Sequence, residues 1–301
     1  MKMKLLALSV LLAPGLVLAG TPINETREVD ARARIDVSNV KGAVNVSAWD
    51  KNEVGITGTL GDGAKRLAIE GGGDSLTIRV EGPGNSRGWL SWGSDSSMQE
   101  SVLNLKVPRG ASLDVGVVSA EVAVAGTVGG ELEVDSVSGR IRLSAVESPR
   151  LRLESVSGDV EFDGKADDAS IETVSGDVVA RGLGSRTRLE TVSGGLRVVA
   201  SAPLRQTEAS SVSGDIDISG ALDRNGRIEI ETMSGDVRLN LPASVSAKIR
   251  AESFSGTLRT DFGTVSKPDH GPGSNLDVSV GGGDGEISVD SFSGDVTIRR
   301  E

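Results

Sequence analysis

The sequence contains no cysteine and no tyrosine, and it has a single histidine, His270. Without cysteine there is no disulfide to staple an exported chain and no thiol to carry a lipoprotein anchor. Stability must then come from apolar burial and hydrogen-bonded ladders. One histidine and no cysteine also exclude a metal-spaced His/Cys cluster, and neither a P-loop nor a dinucleotide fingerprint is present. Three tryptophans and four phenylalanines are too few for an aromatic core. Cations are scarce as well: 32 Lys and Arg stand against 43 Asp and Glu, a net charge of −11. Such a field does not favour nucleic acid or anionic lipid. Past residue 19 no apolar run is long enough to cross a bilayer.

The N-terminus reads as an export signal. Lys2 and Lys4 precede an apolar run from Leu5 to Leu18, and Val17-Leu18-Ala19 fits a small-residue cleavage site. Cleavage would leave residues 20–301 and, by removing two lysines, a charge of −13. The alternative is an uncleaved anchor, which the Pro14-Gly15 interruption disfavours. The expected location is the periplasm or the cell surface.

What the chain has in abundance is glycine, 40 residues of it, much of it periodic. Ser/Thr-x-Ser-Gly occurs eight times, ending at Gly139, Gly158, Gly176, Gly194, Gly214, Gly235, Gly256 and Gly294. The spacings are 19, 18, 18, 20, 21, 21 and 38 residues, the last equal to two periods of 19. A period near twenty suits one rung of a β-solenoid and is too short for a propeller blade or a helical pair. With the Ser/Thr as position zero, positions −4 and −2 are mostly apolar, as in Leu151 and Leu153, with charged Arg152 between them. Positions +5 and +7 are apolar again, as in Val160 and Phe162. Each repeat is therefore a strand, a glycine corner, a second strand in the opposite phase, and a variable return. Stacked rungs make parallel sheets, and a right-handed coil is the default for parallel crossovers. The predicted fold is all-β: a single-stranded β-solenoid, or parallel β-helix, of about 18–21 residues per rung.

The template extends beyond the eight copies. Ile35, Val37, Asn39, Gly42, Val44 and Val46 match it with Asn39 at zero, and Leu113 to Val124 match with Ala120 in place of glycine. Residues 30–130 are thus read as less regular N-terminal rungs and 131–301 as the repeat region. Further strands are expected at Val54–Leu60, Leu67–Ile69, Leu76–Val80 and Val102–Val107, with unclear register. Leu276–Val280 is expected to supply a rung hidden in the 38-residue gap. Ten to thirteen rungs at about 4.8 Å each give a rod about 50–60 Å long. Two segments leave the pattern as loops: 82–99, which holds Trp89 and Trp92, and 261–274, which holds His270.

Position −1 is acidic in seven of the eight repeats (Asp135, Glu154, Glu172, Glu190, Glu231, Glu252 and Asp290). Stacked, these carboxylates form a column about 5 Å apart, and Glu154, Glu172 and Glu190 are its weak cation-site candidates. One carboxylate per rung makes a poor cage, so a solvated face balanced by Arg150, Arg152, Arg186, Arg188 and Arg227 is favoured. Asp159, Asp177, Asp215, Asp236 and Asp295 follow the corner glycine as turn chemistry. Identical repeated acids do not provide the two distinct environments of a glycosidase pair. Eight interchangeable corner serines argue against a single nucleophile and for hydroxyl ladders. Trp89 and Trp92 are the candidate binding residues, as aromatic platforms for a sugar ring or a partner surface.

Val37-Ser-Asn-Val-Lys-Gly-Ala-Val-Asn-Val-Ser-Ala-Trp-Asp50 with Glu53-Val54, then Leu105-Lys-Val-Pro-Arg-Gly-Ala-Ser-Leu-Asp-Val115, then the Val-Ser-Gly-Asp-Val copies resemble the bacterial β-strand-repeat adhesin-like family (domain of unknown function 4097). The likeness covers roughly residues 30–300. It implies a β-solenoid of exported or envelope proteins and carries over no catalytic residue and no cofactor. The resulting expectation is a non-enzymatic adhesin or envelope-interaction protein, with an envelope component, glycan or protein as partner. The alternatives are a polysaccharide-acting β-helix enzyme, supported by fold analogy alone, and a self-assembling envelope scaffold.

Overall fold

The computed structural model describes residues 20–82, 98–267 and 272–301. The expected export signal at 1–19, Trp89, Trp92 and His270 lie outside the described residues. Every regular element among the described residues is a strand, and all 19 are hydrogen-bonded into one sheet system.

The repeat unit is clearest in β7 (Ile141–Ser155), β8 (Val160–Thr173) and β9 (Val178–Thr191). Each runs from the second strand of one rung, through the return, into the first strand of the next. β7 and β8 lie parallel from Ile141↔Val160 to Ser155↔Thr173, with one irregularity between Ser144 and Val146. Ala145, with φ 51°, sits at that irregularity and reverses the side-chain phase. Ile141, Leu143, Leu151 and Leu153 are buried while Arg142, Arg150 and Arg152 stay exposed, as period-two alternation requires. The core is a continuous column of Val, Ile, Leu and Ala, with Phe162 its largest fully buried side chain. A lone rung would leave both ladders unpaired, so its stability comes from its neighbours.

Position zero stacks in strict register. Ser136, Ser155, Thr173, Thr191, Ser211, Thr232, Ser291 and Ser253 pair in succession through β6 (Leu132–Ser136), β7, β8, β9, β11 (Leu204–Ser211), β13 (Leu222–Thr232), β18 (Gly285–Ser291) and β15 (Ala247–Ser253).

That order departs from chain order. β18 lies parallel between β13 and β15, and β19 (Val296–Arg300) lies between β14 (Val237–Leu241) and β16 (Leu258–Thr260). The last turn of the chain is therefore inserted as the penultimate rung. β17 (Ser274–Val280), expected as a rung of its own, runs antiparallel to β15 from Ala247↔Val280 to Ser253↔Ser274 and covers the outer edge. The 38-residue gap thus holds an edge strand, and alternation alone does not reveal strand direction.

The other end is built alike. β1 (Thr21–Trp49) lies parallel to β5 (Ser112–Ala125) on one side and to β3 (Arg66–Glu81) and β4 (Ser101–Pro108) on the other. β2 (Glu53–Leu60) is antiparallel to both the start of β1 and β4. Eleven rungs stack among the described residues; β17 covers one end, and β2 covers the other with Thr21–Glu28 of β1 paired beyond it. In the outermost N-terminal rung, Ile78 is level with Val37 and Ser101 with Gly42. The described chain therefore breaks off and resumes at that rung's corner level, so the ends of the 82–99 insert lie on the corner edge of the rod.

Candidate functional site: the corner surface

The corner is a hydrogen-bonded device repeated on the eight Ser/Thr-x-Ser-Gly rungs. The position-zero hydroxyl is buried and accepts the amide of the corner glycine three residues on, from Gly139 N–H to Ser136 Oγ through Gly294 N–H to Ser291 Oγ, at 2.7–3.1 Å in all eight copies. The +2 serine hydroxyl donates across rungs to the +1 carbonyl of the preceding rung, at 3.1–3.2 Å in all eight copies. The aspartate after the glycine has an inter-rung duty too. Asp159, Asp177, Asp215, Asp236 and Asp295 each accept, through Oδ1, the amide of the equivalent residue on the next rung at 2.8–3.3 Å. The Thr257 amide and the Arg259 guanidinium together hold the Asp295 carboxyl below the ordinary aspartate range. These hydroxyls and carboxylates are spent on structure.

The corner glycines are there for close approach. None of the eight has φ in the left-handed region. A Cβ on Gly158, Gly176, Gly194 or Gly214 would instead stand 1.9–2.1 Å from the carbonyl oxygen of the glycine on the rung before. Stacking of the rungs, and not a left-handed bend, is what demands glycine at these corners.

One corner position has no such duty. Position +1 points outward and is apolar on every repeat. Val156, Val174, Val192, Val212, Met233, Phe292 and Phe254 follow one another in space with 45–59% of their surface exposed. Half-buried Val40, Val118 and Val137 continue the line toward the N-terminal rungs. Phe254 and Phe292 stack at 5.1 Å between ring centroids, with planes 11° apart. From Val118 to Phe254 the ridge is about 40 Å long at roughly 4.8 Å per rung. Monomeric surfaces seldom carry so continuous an apolar line without a use for it. Sequence reasoning passed over this column, although its signal was present: an apolar residue recurs at a place that alternation assigns to solvent.

Beside the ridge runs the position −1 column. Glu154, Glu172 and Glu190 do stack on consecutive rungs, as expected. Arg152 bonds Glu154, and Arg188 bonds Glu190 at 3.1 Å, which partly neutralises that stretch. No group of three or more residues suited to hold a metal occurs among the described residues. Asp135, at one end of the column, has its carboxyl pushed up to about 6 by burial first, with Glu154, Glu133 and Asp114 adding repulsion and Arg152 opposing. At the far end, Glu231, Asp290 and Glu252 are exposed and form no ion pair among the described residues. There a cavity of about 820 Å³ opens between the widest part of the ridge (Met233, Phe254, Phe292) and a wall that includes Ser266 and Asn275.

Such a molecule is a parallel β-solenoid with a repetitive apolar and acidic edge. Its polar groups recur along the axis instead of converging on one point. The chain belongs to the Toastrack DUF4097 family, which it matches over residues 32–299. Among solved structures it is similar to a "putative adhesin" from Parabacteroides merdae, at 12% identity and TM-score 0.51, covering 94% of this chain and 97% of that one. A "putative lipid binding protein" from Parabacteroides distasonis is similar at 14% identity and TM-score 0.50, covering 94% and 99%. A "putative adhesin" from Bacteroides fragilis aligns at 14% identity and TM-score 0.44, covering 93% and 97%. No curated protein matches the chain. No helix among the described residues is long and apolar enough to cross a membrane.

Proposed function

We propose that the protein is a non-enzymatic binding module of the bacterial envelope, exported by the signal at residues 1–19, and that its contact surface is the corner ridge. The observation that carries this reading is the solvent-facing column Val156, Val174, Val192, Val212, Met233, Phe292 and Phe254, which the fold neither buries nor hydrogen-bonds through its side chains. Two fold neighbours, one described as a "putative adhesin" and one as a "putative lipid binding protein", are in keeping with a binding role. Trp89 and Trp92 join this proposal through the position of their insert, whose ends lie on the same corner edge.

The test is co-sedimentation of the purified protein with washed envelopes of the producing bacterium, beside a Met233→Ser/Phe254→Ser/Phe292→Ser variant. Binding should weaken at least tenfold in the variant, or about 1.4 kcal/mol. Unchanged binding would refute the ridge as contact surface, and turnover of a defined polysaccharide abolished by one substitution would refute the non-enzymatic reading.

A further inference from the structure

We propose that the partner docked at the wide end of the ridge is a basic amphipathic helix of another protein, lying along the rod axis. The inference rests on the ridge being a contact surface and goes further by naming the partner's chemistry. The site comprises Val212, Met233, Phe292 and Phe254 on four consecutive rungs, with Glu231, Asp290 and Glu252 alongside.

Charge selects the sign of the partner. Arg227 and Arg250, on the strands that lead into these corners, are committed elsewhere: Arg227 to Glu229 and Glu286, Arg250 to Asp277 and Glu286. Glu231, Asp290 and Glu252 are left as a like-charged column spaced at about 4.8 Å, and Lys267 is the one cation lining the cavity among the described residues. A partner with two or three Lys or Arg side chains beside an apolar stripe satisfies the column and covers the ridge together. A second copy of this chain would bring the same acids against themselves. An anionic bilayer would be repelled, and a stripe one residue wide has little to insert.

Spacing selects the partner's conformation. The three steps from Val212 to Phe254 span about 14 Å at the rung spacing. Three turns of α-helix advance about 16 Å, so residues at i, i+3 or i+4, i+7 and i+11 stay close to the four successive ridge side chains. Same-face residues of an extended strand lie about 6.7 Å apart, and three such steps overshoot to about 20 Å. A helix keeps register along the ridge where a strand loses it. Helix-in-groove docking uses this spacing of anchors.

The experiment is a fluorescence-anisotropy titration of the purified protein with a labelled 18-residue helix-forming peptide, apolar at i, i+3, i+4 and i+7 and flanked by lysine. Its companions are a scrambled peptide of equal composition and a peptide with glutamate in place of lysine. The designed peptide should bind at least tenfold more tightly than either companion. Binding should fall at least tenfold in Met233→Ser/Phe292→Ser and in Glu231→Gln/Glu252→Gln, all of which alter exposed side chains and leave the core intact. Equal affinity for the designed and scrambled peptides, or indifference to either variant, overturns the proposal. So does a dimer in sedimentation velocity that Met233→Ser/Phe292→Ser abolishes, which makes a second copy the occupant, or ridge-dependent binding to phosphatidylcholine vesicles, which makes it a lipid. Loss of envelope binding in the ridge variant without peptide discrimination refutes the helix and leaves the ridge. Envelope binding that ignores the ridge refutes both.

Discussion

Replacing Gly176 by alanine tests the central feature of the stack. The new Cβ would stand 2.1 Å from the Gly158 carbonyl oxygen and 2.6 Å from its carbon, where ordinary contact begins at 3.4 Å. The obstacle is backbone, so no side chain can swing aside, and the rungs must part locally by about 1 Å. The bonds between the two rungs are Ser175 N–H to the Val156 carbonyl at 3.0 Å, the Ser175 hydroxyl to the same carbonyl at 3.2 Å and Val160 N–H to the Asp177 carbonyl at 2.8 Å. Weakening two of them costs about 1–3 kcal/mol. Overpacking adds about 1–3 kcal/mol. The expected loss is then about 2–6 kcal/mol. Gly116 provides the opposite case: it lies outward in the β5 ladder, and a Cβ there meets nothing within 4 Å. Gly116→Ala should stabilise by about 0.5–1 kcal/mol, because glycine in a strand interior loses the more entropy on folding. Urea denaturation monitored by circular dichroism reads both. A Gly176→Ala loss under about 1 kcal/mol, or a destabilised Gly116→Ala, would refute close stacking as the reason for the glycine column.

Four further outcomes are expected. Asp135→Asn should stabilise the protein at pH 7.5 by about 1 kcal/mol after solvent screening. The raised folded value means that the native state binds the proton more tightly, so the penalty disappears between pH 6 and 4, and melting temperature against pH reads the convergence. Asp295→Ala should cost about 1 kcal/mol at pH 7, since its amide and guanidinium partners favour the charged form. That contribution is present above the unfolded value near 3.9 and is lost as pH falls through the lowered folded value, so acid titration of stability should show the two proteins merging below that range. The Thr207 and Thr187 hydroxyls are buried on adjacent rungs without a hydrogen-bond partner among the described residues, so Thr207→Val should raise stability by about 1 kcal/mol in the same urea assay. Deleting residues 285–301 removes the rung between β13 and β15, and limited proteolysis should then cleave from about residue 242 onward while rungs 131–240 stay protected.

The fold was legible where spacing is regular. Leu151, Leu153, Val160 and Phe162 point inward as alternation requires, and Asn39 and Ala120 fall at the corner places assigned to them. What escaped is what alternation does not encode. A parallel rung and an antiparallel edge strand have the same period of two, so Leu276–Val280 looked like a rung, and nothing in the 38-residue spacing shows that β18 slips in beneath β15. The reason for the corner glycines is not legible locally, because close approach between rungs lies across the sequence, eighteen residues away for Gly176 and Gly158. The acidic column was foreseen. The apolar column beside it was not, because attention to Ser, Gly and Asp left the residue between them as filler.

That in-between residue is where the chain has freedom to specialise. Within one corner the zero hydroxyl accepts the glycine amide, the +2 hydroxyl donates to the rung before and the aspartate accepts the next rung's amide, while the glycine itself packs closely against its neighbour's carbonyl. Substituting any of these breaks a bond that the stack needs. The +1 side chain breaks none, since only its carbonyl takes part. Across the eight copies it runs through Val137, Val156, Val174, Val192 and Val212 to Met233, Phe254 and Phe292, growing larger and more exposed toward one end. A side chain free of structural duty would drift toward the polar residues that solvent favours. Here it stays apolar on every copy and is largest beside the cavity and the unpaired acids, which is the pattern of a surface shaped to be covered.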